Sequence, residues 1–197
     1  MMKRLLDIVG SSLALLLLFP LFIVFALLVA ITSPGGAFFG QVRVGRGGRE
    51  FRLWKFRSMR PDSEGKGQIT VGGRDPRITG IGYVLRKTKV DELPQLWNVF
   101  IGDMSIVGPR PEVPRYVAMY TAEQRQVLNV RPGITSMASI AYIDENEVLG
   151  RSSDPERTYV EEVMPAKLAL DMKYVQKASL LLDARIILRT MVRVIIR

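Results

Sequence analysis

Apolar residues crowd into one unbroken run near the N-terminus and recur elsewhere at helical or strand spacing. From Leu13 to Ile31 there are nineteen residues without a charge, fifteen of them Leu, Ile, Val or Phe. A run of that composition favours membrane insertion by about 5 to 9 kcal/mol, and as a helix it rises about 28 Å, enough for a simple span. Two features count against a span. Pro20 lies mid-run, where it denies a hydrogen bond to the Leu16 carbonyl and clashes with that turn, at about 3 kcal/mol. Cationic residues also flank both ends: Lys3 and Arg4 before the run, and Arg43, Arg46, Arg49, Arg52, Lys55, Arg57 and Arg60 after it, against Glu50 alone. Both flanks therefore prefer the cytoplasmic side. A hairpin bent at Pro20 satisfies both, with legs of ~22 and ~18 Å that stop short of a ~30 Å hydrocarbon core. The pattern predicts a re-entrant helix–break–helix over residues 1–34.

The other end of the chain is amphipathic. Over residues 178–197, Arg185, Arg189, Arg193 and Arg197 recur every four positions as one drifting stripe, with Leu181, Leu182, Ile186, Leu188, Met191, Val192, Ile195 and Ile196 over much of the rest. That pattern suits a helix lying in the headgroup plane. A helix packed on the protein's own core with arginines in water fits it nearly as well. Between the two ends, residues 35–177 read as one compact domain. Phe38 to Arg43 and Phe51 to Phe56 predict a basic β-hairpin closed by Gly45-Arg46-Gly47-Gly48, and Pro61 to Gly73 a mobile loop. Helices are predicted around Ile81 to Asn98, over Pro114 to Tyr120, over Ala122 to Asn129 behind a Thr121…Gln124 capping box, and beyond Asp154-Pro155, with Pro165 breaking or kinking the last. The expected class is α+β, mostly helical with a small β-hairpin.

Composition narrows the chemistry. Lys plus Arg is 28 and Asp plus Glu is 19, a net charge of +9 that favours phosphate-bearing partners. The 48% hydrophobic content argues against disorder. With no Cys there is no thiol nucleophile or Cys-bound zinc, and with no His there is no Ser-His-Asp triad or His base. Carboxylates, Lys, Arg, Tyr and Ser remain, with a hard metal such as Mg²⁺ as the compatible ion. The charge lies beside membrane segments rather than along a groove-sized helix, so no nucleic-acid partner is expected.

Three clusters stand out. Asp91-Glu92 falls within a predicted helix, downstream of Arg86, Lys87 and Lys89. The two carboxylates can divide labour, one attacking or binding metal and the other handling protons or geometry; a solvated acidic helix face is the plainer alternative. In Gly108-Pro109-Arg110-Pro111 two prolines restrict the backbone around one guanidinium, whose planar fork matches phosphate oxygens. Arg131-Pro132-Gly133-Ile134-Thr135 repeats the device. Both arginines could equally pair with a nearby carboxylate. Lys55-Phe56-Arg57-Ser58-Met59 adds cations at a strand end.

KFRSM (Lys55 to Met59), DPRITGIGYVLRKTKVDELPQLWNV (Asp75 to Val99), GDMSIVGPRP (Gly102 to Pro111), RPGIT (Arg131 to Thr135) and YVQKASLLLD (Tyr174 to Asp183) come in the order found in the bacterial sugar transferases, the monotopic phosphoglycosyl transferases. The chain resembles that family over nearly its whole length, in a minimal catalytic form without the extra transmembrane bundle of larger members. The resemblance implies transfer of a phosphosugar from a UDP-sugar to polyprenyl phosphate, such as undecaprenyl phosphate, with release of UMP. It implies Asp91 as nucleophile and magnesium-binding residue, Glu92 as its partner, and Lys55, Arg86, Arg110 and Arg131 near the phosphates. It also implies a monotopic enzyme among phospholipids on the cytoplasmic face of the bacterial inner membrane, with room for a homodimer, acting first in glycoconjugate assembly. Three departures occur: Phe19 rather than Ser precedes Pro20, Ser136 rather than Gly follows RPGIT, and Lys177 replaces an Asn. Two other readings predict different products. A glycosyl transferase would release UDP, and a non-catalytic basic membrane adaptor would release nothing.

Overall fold

The computed structural model describes residues 1–67, 69–72 and 75–195. The predicted loop at 61–73 therefore lies partly outside the described residues, as do the last residue of the arginine stripe, Arg197, and Ile196. In chain order the elements are helix α1 (Met2–Thr32), strands β1 (Phe38–Val44) and β2 (Glu50–Phe56), helices α2 (Gly80–Lys87) and α3 (Gln95–Ile101), strand β3 (Ser105–Val107), helix α4 (Pro114–Val117), strand β4 (Gly133–Thr135), and helices α5 (Met137–Ala141), α6 (Glu145–Gly150), α7 (Pro155–Thr158), α8 (Met164–Lys177) and α9 (Leu180–Ile195). The protein is mostly helical with small sheets.

α1 corrects one expectation. Where two helices separated by a break were predicted, one helix of 31 residues runs through Pro20. Proline removes a single N–H, and an apolar surface rewards keeping every other backbone group bonded within the helix. The mid-section is exposed: Leu16, Leu17 and Phe19 are open, whereas Asp7, Ser11 and Val29 are buried. Both ends of α1 dock on the rest of the chain. Near the start, Lys3 Nζ donates to Asp183 (2.5 Å) and to the Val107 carbonyl (3.0 Å). Arg4 donates to the Val99 and Phe100 carbonyls that end α3, and Asp7 Oδ1 accepts from Ser105 Oγ and the Ile106 N–H. Near the finish, Phe22, Phe25 and Val29 pack against Phe56 and Leu85.

The hairpin forms as expected, each strand one residue longer, in antiparallel register from Phe38↔Phe56 to Val44↔Glu50. The helix predicted around 81–98 forms as three pieces. α2 is capped by Thr79 Oγ1, which accepts from the Gly82 N–H at 3.1 Å. Lys89 then takes a left-handed conformation (φ 59°), Val90–Glu92 make one 3₁₀ turn, and Pro94 starts α3. The acidic pair thus sits on a turn between helices, not within one. Further on, the capping box closes as read: Thr121 N–H to Gln124 Oε1 at 2.9 Å, and Gln124 N–H to Thr121 Oγ1 at 3.2 Å. It closes the turn that leads into a 3₁₀ segment, Gln124–Asn129, where an α-helix was expected. Pro165 is absorbed by a π-helical stretch, Tyr159–Val163, that widens the turn just before it, so α8 continues unbroken.

β3 and β4 pair in parallel, Ser105↔Gly133 and Val107↔Thr135. The pairing brings two backbones into contact. A Cβ on Gly133 would lie 2.1 Å from the Gly108 nitrogen, and one on Gly108 would lie 2.4 Å from the Arg131 oxygen. Gly133 N–H also donates to the Pro109 carbonyl (2.9 Å) and Gly108 N–H to that of Thr135 (3.0 Å). RPGIT is therefore a clamp on the GPRP loop. Gly133→Ala forces the two backbones apart, at more than about 3 kcal/mol; thermal melts should show Tm falling on the order of 10 °C.

Candidate functional site

The hairpin end, the α2–α3 turn, the GPRP loop and helices α5, α6 and α8 surround a cavity of about 1170 Å³. Asp91, Glu92, Lys55, Arg86 and Arg110 all line it. Arg131 does not. It stands on the far side of the clamp, where its Nε donates to the Gly102 carbonyl at 2.8 Å, among Arg4, Arg46 and Asp7. The sequence pattern grouped the two arginines because both sit beside prolines, but the parallel β3–β4 pairing sends them to different surroundings.

The acidic pair is split by its contacts. Arg110 grips Glu92 with both arms of its guanidinium, Nη2 to Oε1 at 2.5 Å and Nη1 to Oε2 at 3.1 Å, and Lys55 Nζ lies 3.9 Å from Oε1. Burial alone would raise the Glu92 pKa, but Arg110 and Lys55 outweigh it and hold the carboxyl well below its usual range. Asp91 has no such grip. Only 4% of it is exposed, and its Oδ1 has no hydrogen-bond partner. Burial, and then the Glu92 charge, push its pKa up against the pull of Lys55, Arg86 and Lys89. One carboxylate is committed to holding cations in place; its neighbour, which lines the same cavity, has a buried oxygen with no hydrogen-bond partner.

The cations have their own supports. Burial lowers the Lys55 pKa to about 8, opposed by Glu92. Arg86 Nη2 donates to Thr70 Oγ1 at 2.9 Å, linking α2 to the chain at Thr70. The GPRP loop is held from behind by residues that sequence reading did not single out. Arg43 Nη1 donates to the Pro111 carbonyl (3.0 Å) and to Glu112 (3.1 Å), and the Tyr159 hydroxyl donates to the other Glu112 oxygen. These partners are 47 to 69 positions apart in sequence, so no local pattern marks them. Asp171 was also missed: it lines the cavity from α8, and burial raises its pKa to about 6 against hydrogen bonds from Ser136 and the Arg110 backbone. Ser136, the departure after RPGIT, is buried and caps α5 by accepting from the Ser139 N–H at 3.0 Å.

The sequence profile of the bacterial sugar transferases matches residues 1–197, the whole chain. The chain belongs to that family. It is 38% identical over 193 residues to the UDP-N-acetylgalactosamine-undecaprenyl-phosphate N-acetylgalactosaminephosphotransferase of Aeromonas hydrophila, covering 95% of this chain and 42% of that protein. It is 38% identical over 191 residues to the UDP-glucose:undecaprenyl-phosphate glucose-1-phosphate transferase of Caulobacter vibrioides, covering 95% and 67%. An exopolysaccharide production protein of Rhizobium leguminosarum bv. phaseoli is 39% identical over 198 residues, 97% of this chain and 94% of that one. This chain thus spans less than half of the Aeromonas relative and nearly all of the Rhizobium one.

In this family member the split acidic pair makes opposite stability predictions. A carboxyl whose folded pKa is raised destabilises the fold once pH passes from its unfolded value through its folded one, so at neutral pH Asp91 is a burden. Asp91→Asn should melt at or above the wild-type temperature at pH 7.5. Glu92 has the opposite sign: its stabilisation is full above the unfolded carboxyl pKa and fades as pH falls through the depressed folded value. Glu92→Gln strands Arg110 and Lys55, and calorimetry at pH 7.5 should show a loss of about 3 kcal/mol.

Proposed function

We propose that the cavity transfers a phosphosugar from a UDP-sugar to a polyprenyl phosphate, undecaprenyl phosphate being the acceptor named for the Aeromonas and Caulobacter relatives. The observation that carries this is the buried, partnerless Asp91 oxygen among fixed cations. In the first step that oxygen attacks the sugar-side phosphorus. The bond to the bridging oxygen breaks and UMP leaves, so the phosphosugar is held on Asp91 as an acyl phosphate. In the second step an oxygen of polyprenyl phosphate attacks the same phosphorus, and the Asp91 carboxylate leaves. Arg110, Lys55 and Arg86 neutralise the diphosphate, without which two anions would not approach. Glu92 keeps Arg110 and Lys55 in place. Neither step needs histidine.

Magnesium belongs to the same proposal. The Asp91 carboxylate offers a hard oxygen besides the attacking one that would fit it, but among the described residues no group of three or more metal-ligating side chains gathers. Diphosphate oxygens and water would complete its coordination. Bound there, it would screen diphosphate charge.

The same reading places the enzyme on the cytoplasmic face of the inner membrane, with α1 re-entering that face. Its exposed, charge-free mid-section and the docking of Lys3, Arg4 and Asp7 onto the domain that also receives Val29 support it. With the helix continuous through Pro20, the bend is a proline kink rather than a gap between two helices. On α9, Leu181, Leu188, Met191 and Val192 are exposed beside Arg185 and Arg189, which suits contact with phospholipid.

Purified protein given UDP-sugars, Mg²⁺ and undecaprenyl phosphate should release UMP, and Asp91→Asn should lower the rate by at least about a thousandfold. Release of UDP would mean transfer of the sugar alone, and no nucleotide release would leave an adaptor. Donor kcat/KM should fall as pH rises through about 8, where Lys55 loses its proton. In Lys55→Arg that alkaline limb should disappear, because guanidinium stays charged.

A further inference from the structure

A second, smaller cavity of about 460 Å³ lies between α5 and α9. It is lined by Ile140, Ile143, Leu188 and Val192 together with Asp144, Arg189 and Arg193, the acidic residue lying 3.8 Å from Arg193. Three of its residues, Ile140, Ile143 and Arg193, also line the large cavity, so the two spaces adjoin. Nothing in the proposed chemistry uses this groove. Its walls offer almost no polar partner, which excludes the nucleotide and the sugar. Its outer wall is α9, whose Leu188 (64% exposed) and Val192 (48%) leave the groove open along the helix. Asp183, in the first turn of α9, is the residue that Lys3 of the apolar helix α1 holds, so the helix that walls the groove is tied at its start to α1.

We propose that this groove is the acceptor's entry path. The first isoprene units of polyprenyl phosphate lie on Ile140, Ile143, Leu188 and Val192, and the phosphate passes Arg189 and Arg193 into the large cavity. An apolar groove edged by Arg189 and Arg193, walled by a helix with exposed apolar side chains and adjoining the cavity that Asp91 lines, matches a lipid phosphate in charge and polarity. Arg193 is held only loosely, 3.8 Å from Asp144, and 56% of its side chain is exposed, so it can turn to a passing phosphate. The inference rests on the phosphosugar-transfer reading and adds which face of the site belongs to the lipid substrate.

The test uses the full chain in detergent, where membrane docking does not enter. Leu188→Asn and Val192→Asn change exposed side chains, so both variants should fold. Each should raise KM for undecaprenyl phosphate about tenfold and leave KM for the UDP-sugar unchanged. Undecaprenyl phosphate carrying a diazirine in its phosphate-proximal isoprene units should label peptides within 137–144 and 180–193. An acceptor KM within twofold of wild type in both variants would overturn the proposal. So would labelling confined to other segments, or a photoreactive phospholipid that labels the groove and is not displaced by polyprenyl phosphate. If wild-type protein released no UMP with acceptor present, the phosphosugar reading would fall instead, and the crosslink would still report who occupies the groove.

Discussion

The guanidinium fork that Arg110 closes on Glu92, at 2.5 and 3.1 Å, decides what each member of the acidic pair can do. A buried carboxylate needs compensation, and Glu92 takes it from Arg110 and Lys55. Asp91, the residue just before it in the chain and less exposed, is left without that grip on Oδ1. An unsatisfied buried anion is costly to a fold that does nothing with it. The cost is intelligible if the oxygen is meant to bond something that arrives, and a diphosphate screened by cations is the partner the cavity fits. Around that fork, other contacts serve position. Arg43, Glu112 and Tyr159 hold the carbonyl side of the GPRP loop, and the Gly108–Gly133 contact sets how deep the loop sits.

Placement of the cavity relative to α1 follows from a second set of paired charges. Lys3, Arg4 and Asp7 would be expected in water or among headgroups; instead each finds a partner on the domain. Arg4 caps the C-terminal carbonyls of α3, the short helix that Pro94 starts immediately after the acidic turn. The start of the apolar helix and the acidic turn are thus tied to opposite ends of one seven-residue helix. That link gives the cavity a fixed position relative to α1, and through Asp183 to α9 as well.

What could be read from the chain followed how local each determinant was. The β-hairpin and the Thr121–Gln124 box depend on neighbours a few residues apart, and they formed where their patterns lay, whereas the break expected at Pro20 did not form. The acidic turn was misplaced within a helix because periodicity runs through 81–98, while the interruption comes from a left-handed Lys89 that no composition rule marks. Five of the six singled-out site residues came together at the cavity, since the composition left few candidates and the family motifs named them. Arg131 failed to join them because a shared proline context says how an arginine is held but not where strand pairing will carry it. The Arg43–Glu112–Tyr159 network and Asp171 went unseen for a related reason: their partners meet only after the fold closes.

The account stands on Asp91 as the atom that carries the phosphosugar between donor and acceptor. The most direct measurement is the mass of the intact protein after brief exposure to UDP-sugar and Mg²⁺ without acceptor, followed by an acid quench and peptide mapping. The account predicts added mass equal to one phosphosugar, located on Asp91 and lost when polyprenyl phosphate is supplied. Unmodified protein throughout, in a preparation that makes lipid-linked product at full rate, would contradict it.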